Sequence, residues 1–192
     1  MIWFTSDTHF NHANIIKYSE RPFENINEMT EVMITNWNSR VMPGDVVYHL
    51  GDFGLSYGRR HAATIDSLLA RLVGNKFLIR GNHDREEVYK NTQWTKVEHY
   101  HELTVKTKDN NAQKIVLAHY AHRVWNKMHY GSWMLHGHSH GSLDDIGGKT
   151  VDVGVDCWNY APVSLDELTI FMRDRPVITR DHHKPETDND NN

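Results

Sequence analysis

The sequence predicts a layered α/β domain, and three observations lead there. Short β-prone apolar runs alternate with helical apolar stripes through the first part of the chain. Strand-like segments then dominate the later part. No repeat or low-complexity linker divides the 192 residues, a length that suits one domain with a sizeable core.

IWFTS (2–6) is short, apolar and β-prone, the expected first strand. Ile26, Met29, Met33 and Trp37 fall at helical spacing, so a helix is expected over about 26–39 with that stripe against the core. VVYHLG (46–51) predicts a second strand. Ala62, Ile65, Leu68, Leu69 and Leu72 mark a second amphipathic helix, with Gly74 suited to close it. KFLIRG (76–81) follows as a third strand. A β-hairpin is expected next, from KVEHYHELTVK through a KDNNA turn to KIVLAH (114–119). A helix is expected near 120–127, then strands at WMLHG (133–137), TVDVGVD (150–156) and LTIFMR (168–173).

Composition narrows the function classes. Apolar content of 39% and charged content of 24% describe an ordinary globular chain. Net charge is −4 and the densest basic spot is Arg59-Arg60, too little for a nucleic-acid footprint. The lone cysteine, Cys157, excludes an intrachain disulfide and suits a reducing compartment. The start MIWFTSD lacks the basic region of a secretory signal, and no apolar run approaches a membrane span, so a cytoplasmic location is expected. The domain is expected over 1–180, followed by a frayed polar tail, DHHKPETDNDNN (181–192).

The chain holds 15 histidines, so a single His-x-His pair means little: about one should arise by chance. Position is more informative than number. The first strand runs into Asp7-Thr8-His9, the second into Gly51-Asp52, and the third into Gly81-Asn82-His83-Asp84. Two later strands end at His119 and at Gly137-His138-Ser139-His140. Five strands thus deliver Asp, His or Asn at their C-terminal ends, the edge where α/β sheets bind ligands. Glycine before Asp52, Asn82 and His138 allows sharp turns and close backbone approach.

Carboxylates, an amide oxygen and imidazoles without a thiolate suit Mn, Fe, Co, Ni or Zn in a catalytic site, with Mn foremost. If one carboxylate bridges, eight ligand bonds are available, enough for two adjacent ions with positions left for water and substrate. Two divalent cations against two Asp and one hydroxide leave about one positive charge, which favours a phosphoester.

DTH (7–9), GD (51–52), GNHD (81–84), His119 and GHSH (137–140), in that order, resemble the calcineurin-like metallophosphoesterases. The ordered set spans 7–140 and is far more specific than any one motif. The resemblance implies a four-layer α/β/β/α sandwich with mixed sheets and a dinuclear metal site at the C-terminal ends of strands. It assigns Asp7, His9, Asp52 and His140 to one ion, and Asp52, Asn82, His119 and His138 to the other, with Asp52 bridging. Two departures stand out: Leu55 replaces the second Asp of a GDxxD pattern, and Ala118 replaces the usual Gly before His119.

The chemistry expected is hydrolysis of phosphodiesters by a metal-bridging hydroxide, its water acidified from a pKa of about 15.7 to about 7. His83, beside the ligand Asn82, is expected to assist the leaving oxygen, with Asp84 hydrogen-bonded to its other ring nitrogen. Asp84 also suits a helix N-cap. Asn11, His12 and Arg21 are candidate substrate contacts. His136 and His49 suit the core, and Trp125 or Trp158 could stack a base. A nucleotide is one candidate substrate. A phosphomonoesterase acting on a nucleotide, sugar phosphate or phosphoprotein is the first rival reading, and a non-catalytic, metal-stabilised binding module the second.

Overall fold

The first apolar run becomes β1 (Ile2–Thr5) in a computed structural model that describes residues 1–55, 59–108, 110–145 and 147–181. A short turn of helix, α1 (Ile15–Tyr18), precedes α2 (Ile26–Arg40). Asn25 caps α2, accepting the amides of Asn27 and Glu28, and the expected stripe buries Met29, Met33 and Trp37. β2 (Val46–His49), α3 (Arg59–Arg71) and β3 (Asn75–Ile79) follow, then α4 (Glu86–Tyr89) and β4 (Trp94–Glu98). β1 to β4 pair in parallel, joined by crossovers, as strand–helix alternation requires.

The second sheet comprises β5 (Tyr100–Lys106), β6 (Ala112–Ala118), β7 (Trp133–His136) and β8 (Thr150–Asp152) in that spatial order. β5 and β6 are antiparallel, whereas β6, β7 and β8 are parallel. β9 (Val163–Ser164) returns to the first sheet, antiparallel to β1, giving the order β4-β3-β2-β1-β9. The last helix is α5 (Leu165–Arg173).

Period-two alternation assigns each strand's side chains to two cores. Trp3 and Val47 join Met33, Trp37, Ile65 and Leu69 under the helices. Phe4, Leu50 and Ile79 face Ile115, Leu117 and Leu135 between the sheets, where α5 inserts Leu168 and Met172 at one side. On the outer face of the second sheet, Val116 and Met134 are covered by Trp125 and Met128 from the β6–β7 connection. That outer layer is thin, a loop with one 3-10 turn at Met128–Tyr130. The chain therefore has an α/β fold with two mixed sheets face to face.

Three expected elements differ. KVEHYHELTVK is two strands in different sheets, because the chain crosses at residue 99 with no glycine or proline to signal it. The expected helix near 120–127 is a loop. LTIFMR is helical, because Ser164 and Glu167 form a capping box: the Ser164 hydroxyl accepts the Glu167 amide at 3.1 Å, and Glu167 Oε2 accepts the Ser164 amide at 2.8 Å. Leu165, Leu168 and Met172 then bury one helical face. The expected tail lies outside the described residues beyond Asp181, as do His182 and His183.

Ser164→Ala removes the cap of the helix that closes the space between the sheets. It should lower stability by about 1 kcal/mol, read as a shifted urea midpoint with unchanged slope. An unmoved midpoint would show that α5 is held by its apolar face alone.

Candidate metal centre

The polar strand ends converge because both sheets present the C-terminal ends of parallel strands to one edge. Glycine permits the close approach. Gly51 is at φ +100°, and a β-carbon there would sit 2.6 Å from the His119 ring nitrogen and the Gly81 amide. A β-carbon at Gly81 would collide with Asp52, and one at Gly137 with Ser6 and the Asp7 carboxylate. Asp7, His9, Asp52, His138 and His140 themselves lie at φ between 49° and 68°. Asp and His tolerate this left-handed region better than most residues, and such conformations persist only where surrounding contacts impose them.

Two triads result. Asp7, His9 and His140 offer ligand atoms within 4.8 Å of one another, and so do Asp52, His119 and His138. Asp52 Oδ2 lies 3.6 Å from His9 Nε2 and 3.5 Å from His119 Nε2, between the groups. Asn82 Oδ1 joins the second triad, 3.0 Å from His119 Nε2. Each carboxylate anchors a neighbouring loop with one oxygen and presents the other to the site. Asp7 Oδ2 accepts the His138 amide at 2.9 Å, and Asp52 Oδ1 accepts the His83 amide at 2.8 Å.

The remaining atoms are the telling ones. Among the described residues, Asp7 Oδ1 and His9 Nε2 are buried without a hydrogen-bond partner. A buried polar atom left so is costly. Burial pushes the Asp7 carboxyl up to about 7, outweighing the opposing pull of the His119 and His140 rings. Burial also holds His9 well below its usual value. Asp52 would likewise be raised by burial, but the adjacent His119 ring outweighs that and carries it down to about 2. A lone pair on imidazole and an unbalanced carboxylate oxygen facing one point fit divalent cations.

Residues around the ligands fix their orientation. The His119 ring donates from Nδ1 to the Leu50 carbonyl at 2.7 Å, leaving Nε2 toward Asp52. His140 donates from Nδ1 to Asp156 at 2.7 Å, which turns Nε2 toward Asp7. Arg21 grips Asp156 through two 2.8 Å bonds and donates to the carbonyls of Asp7 and Thr8. This corrects the expectation for Arg21: its side chain is fully buried, and it braces the loops instead of reaching substrate. His49 is a buried brace too, held between Thr8 Oγ1 and the Gly51 amide.

Asp84 also departs from expectation. Its carboxylate accepts the amides of Gly81, Asp52 and Phe53 at 2.8–2.9 Å, stitching the second and third turns together. Its oxygens therefore serve backbone amides and leave the His83 ring to other neighbours. Those bonds also hold the turn in which Leu55, itself buried, replaces the family's second Asp. The exposed His83 ring stands 5.4 Å from that of His9 and 5.9 Å from that of His12. His12 Nδ1 is 3.2 Å from His9 Nδ1, so His12 borders the site. Asn11 turns away, donating to the Leu55 carbonyl at 3.4 Å. His136 is buried outside both triads, and Trp125 is buried with its indole donating to Ser132.

Sequence reasoning missed two participants. Tyr120 donates to Asn82 Oδ1 at 3.2 Å and packs its ring 4.5 Å from that of His138; its place directly after His119 was the available signal. Asp156 closes TVDVGVD, after the last recognised motif; the strand expected there ends at Asp152, and Asp156 stands in the 3-10 turn Val155–Cys157 that follows.

A family model described as calcineurin-like phosphoesterase matches residues 1–191. An uncharacterized protein of Methanocaldococcus jannaschii is 40% identical over 184 residues, covering 92% of this chain and 94% of that one. The Gene 66 protein of Mycobacterium phage D29 is 26% identical over 198 residues, covering 90% and 96%. A solved structure of an Aquifex aeolicus protein of unknown function shares the fold, with a TM-score of 0.64 at 24% identity, covering 85% of this chain and 94% of that one.

Asp156→Asn should weaken the Asp7–His9–His140 site about 10- to 100-fold and leave the other site nearly unchanged. A two-site metal titration reads this, and an equal fall at both sites contradicts it. In metal-stripped protein the folded chain holds the Asp7 proton up to about pH 7, whereas the unfolded chain releases it near 3.8. The folded state then binds more protons between those values, so the Asp7 contribution to stability falls as pH rises from about 4 to about 7. Asp7→Asn should remove that slope in urea unfolding measured with chelator at several pH values.

Proposed function

The chain belongs to the calcineurin-like phosphoesterase family and is a hydrolase of phosphoric esters, and from that premise we propose that it is a dinuclear metal-dependent phosphodiesterase. The observation carrying this reading is the pair of triads with Asp52 Oδ2 between them. Asp7, His9, Asp52 and His140 would hold one ion, and Asp52, Asn82, His119 and His138 would hold the other. When bound, two divalent cations supply Lewis acidity toward phosphoryl oxygens and acidify the attacking water. The thiolate-free donor set suits Mn, Fe, Co, Ni or Zn, with Mn favoured.

The protein's own groups divide the remaining work. His83 stands on the open side of the site, where its ring can protonate the departing oxygen. Its backbone amide meanwhile fixes one oxygen of Asp52, so the proton donor and the proposed bridging carboxylate are tied together across two neighbouring turns. His12 and Tyr120 border the two triads and are the substrate contacts of this reading. The commitment of Arg21 to Asp156 and two carbonyls supports a diester over a monoester. A dianionic monoester needs extra donors, and the expected guanidinium clamp faces inward. No described helix is long and apolar enough to cross a membrane, and a cytoplasmic location accords with the single cysteine.

Metal-stripped protein reconstituted with Mn, Ni, Co or Zn should turn over bis-p-nitrophenyl phosphate in preference to p-nitrophenyl phosphate; the reverse preference makes it a phosphomonoesterase. His83→Asn should lower diester turnover about 100-fold or more while metal content stays near two per chain. A loss of metal in that variant would make His83 a ligand instead. Asp52→Asn should weaken both metal sites together, and unchanged affinity at either one would end its role as a bridge.

A further inference from the structure

Behind the 137–140 turn lies a cavity of about 660 Å³ that the chemistry above leaves unused. Its apolar wall is formed by Leu143, Val151, Trp158 and Phe171, and it is bordered by His136 and Gly141. These last two flank the turn that carries His138 and His140. The size suits a ligand the size of a nucleoside.

Three features say what it would hold. The Trp158 indole is pinned by its bond to the Asp152 carbonyl at 2.8 Å, and its ring meets that of Phe171 at 6.0 Å and 67°, a rigid aromatic corner. The buried His136 ring donates from Nδ1 to the Gly137 carbonyl at 3.2 Å, which leaves Nε2 as its ring nitrogen without a hydrogen bond among the described residues. A heterocycle bearing an N–H donor matches that atom, whereas a plain hydrocarbon does not. The third feature is position. A second hollow runs from His138 and His140 to α1, and Leu143, 54% exposed, lines both hollows. A phosphoester seated on the triads therefore has the aromatic cavity on the other side of a single leucine.

We propose that this cavity is the subsite for the nucleobase of a nucleotide-type phosphodiester, whose phosphate occupies the metal centre. The inference rests on the phosphodiesterase reading and deepens it by naming the substrate class. Trp158 and Phe171 supply stacking and edge contact, His136 Nε2 accepts from the base, and Leu143 marks where the sugar crosses.

The test compares two diesters with one leaving group, adenosine 5′-(p-nitrophenyl phosphate) and methyl p-nitrophenyl phosphate, on protein loaded with Mn. The native chain should favour the adenosine ester in kcat/KM by about tenfold or more, chiefly through KM. Cys157→Trp, which fills the cavity, should bring that ratio toward one. Phe171→Ala, a change at an exposed helix position, should lower it without threatening the fold. In parallel, adenosine is titrated into the same Mn-loaded proteins by calorimetry. It should bind the native chain and fail to bind Cys157→Trp. A ratio near one in the native chain together with no adenosine binding overturns the subsite. Failure to hydrolyse either ester with two metals bound overturns the hydrolytic reading instead, and the adenosine titration then decides the cavity on its own.

Discussion

Two buried carboxylates set the terms for this molecule. Asp7 and Asp52 sit where parallel strands end, each with one oxygen tied to a backbone amide and the other aimed at neighbouring imidazoles. In the protein alone this arrangement is poorly balanced. Asp7 Oδ1 and His9 Nε2 find no partner, and burial drives the Asp7 carboxyl far from its usual range. A divalent cation held by Asp7 and His9 would remove both difficulties at once, supplying charge to the carboxylate and an acceptor for the imidazole lone pair. The loops, glycines and braces around the centre keep those groups from relaxing into ordinary hydrogen bonds.

The bracing is economical in residues. Asp84 ties three amides from two turns, so Asp52 and Asn82 move as a unit. Arg21 reaches from the α1–α2 connection to the first turn and to Asp156, and Asp156 in turn orients His140. The first-sheet and second-sheet halves of the centre are thereby linked through buried ionic contacts as well as through the apolar core between the sheets. Left-handed backbone at five of the ligand positions is the consequence of this convergence. Glycine occupies the neighbouring positions where a side chain would meet another turn.

The same crowding sets the ligand turn beside the aromatic cavity. The hollow beside His138 and His140 is closed by Ile15, Tyr18 and Leu143, whereas the cavity beyond Leu143 carries the aromatic corner of Trp158 and Phe171. Strand ends fix the ligand side chains, while the connections after them supply the walls of the cavity. In this chain the divide falls at residues 141–143: His140 belongs to the triad with Asp7 and His9, Gly141 lines the cavity, and Leu143 borders both hollows.

By itself, the sequence determined the chemistry of this protein. The ordered motifs, the glycines before Asp52, Asn82 and His138, and the alternation of apolar runs identified the family and the parallel strands. Local patterning carries that information, since both the core and the turns need particular residues at particular positions. Sequence was weaker where one pattern serves two outcomes. The run from Lys96 to Lys106 passes through a change of sheet without a glycine or proline, and the apolar spacing of LTIFMR suits a strand until the Ser164–Glu167 cap is considered. What only the tertiary structure decided was the use of each polar group. It turned Arg21 and Asp84 inward as braces, recruited Asp156 and Tyr120, and opened a cavity between elements distant in sequence. Hydrogen-bond partners are set by which backbone atoms lie unpaired nearby, and that depends on how the two sheets meet.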